Sequence, residues 1–174
     1  MKHTDNFFET INPAALTDNF IKAIGDGWML ITAGEPDNFN TMTASWGTIG
    51  VLWNMPVAIC FIRPTRYTYN FAEQNDLFTL CFFESSDKKI LQFCGSNSGR
   101  NVDKIKATGL IPVETNNGAI IYEQSRLAIE CRKIYFDDIK PENFLMADID
   151  KSIYPDKDYH RIYIGKIVGC YIKK

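Results

Sequence analysis

Long apolar runs, closely spaced cysteines, histidine clusters and an excess of charge of one sign are all missing from this chain, and each absence removes a class of protein. The longest apolar stretches, Val57 to Ile62 and Leu77 to Phe83, fall well short of the about 20 residues needed to cross a bilayer. No membrane span is expected. Met1-Lys2-His3-Thr4-Asp5-Asn6 lacks the basic-then-apolar order of a secretory signal, so the expected location is the cytoplasm. The five cysteines, Cys60, Cys81, Cys94, Cys131 and Cys170, include no C-x-x-C pair and lie mostly in apolar surroundings; they read as reduced, buried thiols. His3 and His160 are the only histidines, and neither stands beside a cysteine, so no metal site is expected. A net charge of -2 with both signs mixed along the chain creates no field to gather polyanions, and nucleic acid is not an expected partner. Neither G-x-G-x-x-G nor G-x-x-x-x-G-K-[ST] occurs, so a Rossmann dinucleotide site and a phosphate loop have no support.

What the chain does contain is apolar material for one core. A hydrophobic share of 45% within 174 residues suits a single domain over residues 1–174. Asn12 before Pro13 reads as a helix start, with Leu16, Phe20 and Ile24 on one face until Gly25. Six segments rich in β-branched and aromatic residues follow as strands: Trp28 to Ala33, Thr41 to Ile49, Val57 to Arg63, Leu77 to Phe83, Arg126 to Phe136 and Arg161 to Tyr171. Short helical patches interrupt them at Arg66 to Gln74, at Asp87 to Cys94 before Gly95, and at Val102 to Thr108 before Gly109. Asp148 to Asp158 reads as a polar loop. This pattern lacks the regular strand-helix alternation of a parallel sheet, and predicts a mainly β fold, an antiparallel barrel with short peripheral helices.

Three segments carry candidate chemistry. In Asn40-Thr41-Met42-Thr43-Ala44-Ser45-Trp46-Gly47, small side chains would let a planar heterocycle approach the strand backbone; the competing reading is a strand with ordinary alternation. In Arg63-Pro64-Thr65-Arg66-Tyr67-Thr68, Thr65 is a candidate cap, and a helix start with two guanidinium groups suits a phosphate; the competing reading is a solvated basic turn. In Cys94 to Lys104, Asn101 is a candidate cap, Gly99 permits positive φ, and Lys104 could add charge to an anion site; the competing reading is a flexible linker. His160, at a strand entrance, could assist proton movement or be structural. Trp28, Trp46 and Trp53 could stack on a ring or fill the core.

In order, these segments resemble the flavin reductase-like family, whose fold is an FMN-binding split barrel, and its flavoredoxin-type members. The resemblance rests on Trp-x-Leu-x-Thr at Trp28 to Thr32, Asn-x-Met-Thr-Ala-Ser-Trp-Gly at Asn40 to Gly47, and Arg-Pro-x-Arg-Tyr-Thr at Arg63 to Thr68. It continues through Cys-Gly-x-x-Ser-Gly-Arg at Cys94 to Arg100, Asp103-Lys104, Glu130-Cys131, and His160 before Ile164-Gly165, and so spans nearly the whole chain. Asn101 departs from the acidic residue of many relatives, and Lys166 from a common Glu.

The resemblance implies FMN as cofactor and a homodimer. It implies that Thr43, Ala44, Ser45 and Trp46 lie against the isoalloxazine and ribityl chain, with Trp28 nearby. Arg63, Arg66, Tyr67 and Thr68 would gather around the phosphate, and Ser98, Gly99, Arg100 and Lys104 would complete the pocket. The implied activity is an FMN-dependent oxidoreductase taking electrons from NAD(P)H or a redox partner. The alternatives are a noncatalytic FMN electron carrier and a split-barrel protein that binds haem or another ligand.

Overall fold

The computed structural model describes residues 2–174; Met1, which opens the N-terminal stretch considered above, lies outside the described residues. The chain runs β1 (Lys2–His3), β2 (Phe8–Thr10), α1 (Phe20–Lys22), β3 (Met29–Glu35), β4 (Asn38–Ala44), β5 (Gly47–Leu52), β6 (Met55–Ile62), α2 (Tyr67–Gln74), β7 (Leu77–Phe82), α3 (Lys88–Ser96), α4 (Lys104–Thr108), β8 (Pro112–Glu114), β9 (Ile120–Tyr122), β10 (Leu127–Asp138), α5 (Ala147–Ile153) and β11 (Arg161–Lys173). The main sheet is antiparallel in the order β4-β3-β7-β10-β11-β6-β5, with β2 beside the far end of β11. A small sheet, β1-β8-β9, lies apart from it in pairing.

Register shifts between Glu130 and Cys131 and between Lys133 and Tyr135 interrupt the β10–β11 ladder; such bulges increase local twist and bend a sheet toward closure. The closure is incomplete. β4 and β5 are the two edges of the path, yet they are consecutive in the chain, joined only by Ser45 and Trp46. The expected single strand from Thr41 to Ile49 is therefore two strands, and the break between them is the seam of a split barrel.

Alternate residues explain the two cores. Met29, Ile31 and Ala33 from β3, Cys60 and Ile62 from β6, and Leu80 and Phe82 from β7 fill the barrel interior together with Phe71 and Ala72 of α2. Leu30 and Cys81, one residue out of phase, face outward into a second cluster with Leu91 and Cys94 of α3 and with Ile121 and Tyr122 of β9. This is the period-two alternation of strands covered on both faces. At the far end of α2, Glu73 accepts from Tyr163 Oη at 2.6 Å and pairs with Arg161 at 2.6 Å, fixing the helix to β11.

Several local expectations are corrected. The helix expected from Asn12 to Gly25 is two pieces, because Asn12 and Asn19 each cap a separate turn: Ala14 N donates to Asn12 Oδ1 at 2.9 Å and Lys22 N to Asn19 Oδ1 at 3.2 Å. Leu16 between them is extended. The segment Asp148 to Asp158 contains α5 rather than only loop. Gly95 does not stop α3, which runs to Ser96; a Cβ there would meet Thr43 Cβ at 3.3 Å, so the glycine serves the close approach of helix and strand.

Candidate functional site

The seam, the N-terminus of α2 and the loop between α3 and α4 converge, as the sequence predicts. Three clefts adjoin there. The first, about 220 Å³, is bounded by Thr43 to Trp46, Phe61, Arg63, Arg66 and His160. The second, about 490 Å³, lies across the same strand end and is walled by Trp28, Leu91, Gln92, Gly95 and Ser96. The third, about 170 Å³, lies between Thr65 to Thr68 and Ser96 to Arg100, with Lys104 at its base. Thr43, Ala44 and Ser45 belong to the first two clefts, Arg66 to the first and third, and Ser96 to the second and third.

The third cleft is the most cationic of the three. Its lining contains Arg66, Arg100 and Lys104 and no carboxylate. Arg66, not Thr65, is the N-cap of α2, and no side chain caps the helix. Tyr69 N already donates to Arg66 O at 3.0 Å, so the amides of Tyr67 and Thr68 are the ones left without an intrahelical acceptor at the positive end of the helix dipole. Arg66 is exposed, and among the described residues its guanidinium donates only to Gly95 O at 3.2 Å; Arg100 donates to Thr65 O at 3.2 Å and lies 5.0 Å over the Tyr67 ring. Among the described residues neither guanidinium is in an ion pair. Thr68 is turned inward, accepting from Asn40 Nδ2 at 2.7 Å, so it anchors the helix to β4.

Gly99 closes this cleft by size. It is not among the glycines with positive φ, contrary to expectation; instead a Cβ on it would lie 2.0 Å from Asn40 Oδ1 and 3.1 Å from the Tyr67 ring. Asn101 does not cap α4. Asp103 does, accepting from Lys106 N at 3.0 Å. Lys104 lies buried at the floor, donating to Thr41 O at 2.8 Å and Cys94 O at 2.7 Å, and burial pushes its ammonium down from the usual lysine range. Its charge reaches the cleft from beneath.

Arg63 behaves differently from its neighbour. Nη1 pairs with Asp158 at 2.5 Å, Nη2 donates to Ile153 O at 2.8 Å, and the guanidinium lies 5.1 Å over the Tyr154 ring. Arg63 bounds the first cleft together with Arg66 but does not line the third, and its contacts strap the α5 segment to the barrel. Thr43 likewise donates its hydroxyl to Leu91 O, so that oxygen is engaged within the fold. Trp46 is 43% exposed, with its ring 5.0 Å from that of His160. Trp28 has φ +68 and carries the Lys88 ammonium 3.4 Å over its ring. A bulky residue in that region is strained, and the neighbouring lysine holds the indole as a wall of the second cleft.

The model for the flavin reductase like domain matches residues 21–174. The chain belongs to that family. Solved structures agree in fold. An FMN-binding protein of Thermus thermophilus, in complex with 1-cyclohex-2-enone, has 22% identity and a TM-score of 0.65, covering 89% of this chain and 74% of its own. Flavoredoxin from Methanosarcina acetivorans has 21% identity and a TM-score of 0.65, with 85% and 69% covered. The NADH:FAD oxidoreductase of Streptomyces globisporus C-1027 has 15% identity and a TM-score of 0.64, with 85% and 78% covered. No curated protein matches.

Within this flavin reductase-like fold, sequence reasoning missed Phe61, Leu91 and Gln92 as cleft walls and Tyr154 and Asp158 as partners of His160 and Arg63. Phe61 carried a usable signal, since it alternates with buried Cys60 and Ile62 along β6 and so faces the other side. The others had none, because they come from segments that only packing brings to the seam.

Proposed function

We propose that this flavin reductase-like chain binds FMN and is an oxidoreductase that passes electrons from NAD(P)H, or from a redox partner, through it. The observation that carries this reading is the carboxylate-free cleft with three cations and an uncapped helix N-terminus, placed beside a larger, apolar cleft walled by Trp28, Leu91 and Gly95. A phosphate matches the first and a planar ring the second. Arg66, Arg100, Ser98 and the first amides of α2 would hold the phosphate. Thr43 to Ser45 would present backbone to the ring edge, with Trp28 beyond it.

When bound, FMN supplies the redox chemistry; the protein's residues bind, orient and shield. Arg66 neutralises phosphate charge, the Asn40–Gly99 contact keeps the loop against β4, and Trp46 with His160 screens the polar side of the seam. The chain is read as a cytoplasmic homodimer, supported by five free, buried cysteines, as in a reducing compartment, and by the free edge of β5. Exposed Val51 and Trp53 lie at that edge, with Tyr135 6.1 Å from the Trp53 ring.

Denaturing freshly purified protein should release one FMN per chain, identified by chromatography, and anaerobic NADH or NADPH oxidation with free flavin should exceed a protein-free control. A haem spectrum or a colourless protein that takes up no FMN would overturn the reading. FMN without turnover would leave an electron carrier.

A further inference from the structure

The first cleft is small, and His160 is one of its walls. His160 is 8% exposed and its Nδ1 lies 2.8 Å from Tyr154 Oη, while its Nε2 has no hydrogen-bond partner among the described residues. Tyr154 is itself only 3% exposed, so water is a poor acceptor for its hydroxyl hydrogen. No acceptor other than His160 Nδ1 is within bonding distance of that phenol among the described residues. If Nδ1 carried the ring proton, the phenol hydrogen would be buried without a partner, at a cost of about 1–3 kcal/mol. If the phenol donates to Nδ1, its buried hydrogen is satisfied and the ring proton sits on Nε2, which is not among the sealed atoms left without a partner.

We propose that Tyr154 is a positioning residue that locks His160 in the Nε2–H form, and that His160 thereby offers a hydrogen-bond donor to the second reactant in the cleft beside Trp46, selecting a flat molecule that presents an acceptor such as a carbonyl oxygen. The proposal rests on the functional reading above for its placement beside the flavin. Arg63 holds the lock in place through Ile153 O, Asp158 and the Tyr154 ring. Burial first, and then the Arg63 charge, depress His160 to about 4, so the ring is neutral near pH 7 and the tautomer is meaningful. The half-exposed Trp46 ring supplies a stacking face next to the donor.

Long-range ¹H–¹⁵N correlation of the full chain labelled at histidine reads the tautomer directly, and His3→Gln assigns the two sets of signals. The expected result is an Nε2-protonated His160 in the wild type, with and without FMN, and a mixture of tautomers in Tyr154→Phe. Nδ1 protonation in the wild type, or an unchanged spectrum in a folded Tyr154→Phe, would overturn the proposal. Acetophenone and aniline then probe the FMN-loaded protein. Acetophenone should bind about tenfold tighter and shift the His160 signals, and Tyr154→Phe should reduce the preference to under about threefold; equal binding of the two probes sinks the selectivity. Failure to load FMN would remove the functional reading while leaving the tautomer result standing, so the two failures are distinct.

Discussion

Arg63 and Arg66 lie three residues apart on the same turn and have opposite roles. Arg63 is engaged by a carboxylate, a carbonyl and an aromatic face; the Arg66 guanidinium meets one carbonyl and otherwise open cleft. A guanidinium already neutralised by a carboxylate has little left to offer an anion, whereas an unpaired one beside bare helix amides attracts it strongly. The comparison separates the structural strap from the ligand cradle more sharply than residue type does.

Four measurements would break or sharpen that contrast, and the largest effect is expected inside the cradle. Gly99→Val places side-chain atoms where Asn40 already stands, and Asn40 is pinned by Thr68. FMN affinity should fall about 100-fold and unfolding free energy by roughly 1–3 kcal/mol, read by flavin fluorescence titration and urea unfolding. Retention of both would mean the loop does not close the cradle.

Arg66→Ala should weaken FMN by about 10- to 100-fold and riboflavin by less than about threefold, the difference being one charge-assisted bond to phosphate. An equal loss for both ligands would move Arg66 out of the phosphate site.

On the strap side, the effect is one of pH. His160 is depressed in the fold to about 4 by burial and by Arg63, while its unfolded value is near 6.5. The folded state thus binds fewer protons between those values. The stability gained by keeping the ring neutral is fully present above about pH 6.5 and is lost as pH falls toward about 4. Thermal melts should show a decline on the order of 3 kcal/mol across that window, and His160→Gln should flatten it. A flat wild-type profile would contradict the buried neutral ring.

The smallest effect is expected for Asp158→Asn, which removes the charge facing Arg63. FMN affinity should change by less than about threefold and stability by less than about 1 kcal/mol, since the pair is partly exposed. A gain in FMN affinity of tenfold or more would show that Arg63 competes for the phosphate, and the contrast between the two arginines would dissolve.

The barrel strands, α2 and the α3–α4 loop were legible because their signals are local: β-branched alternation, the Arg63-Pro64 start, and glycine with serine between two helical patches. The capping details were not. Thr65 and Asn101 are good cap residues by type, yet Arg66 and Asp103 occupy those positions, since the last extended residue before each helix is set by how the preceding loop packs. Asn12 and Asn19 each take a cap, and the helix that apolar spacing suggested is divided between them.

The residue order by itself determined that this chain would form a β-rich barrel with a small-residue strand, a basic helix start and a glycine loop, because alternation, turn residues and charge act over a few neighbours. Only the tertiary structure decided which donors remain free. Whether an arginine faces Asp158 or open space depends on a contact spanning 95 residues, and whether His160 meets a phenol depends on how the six-residue turn after α5 closes, which residue type and spacing do not fix.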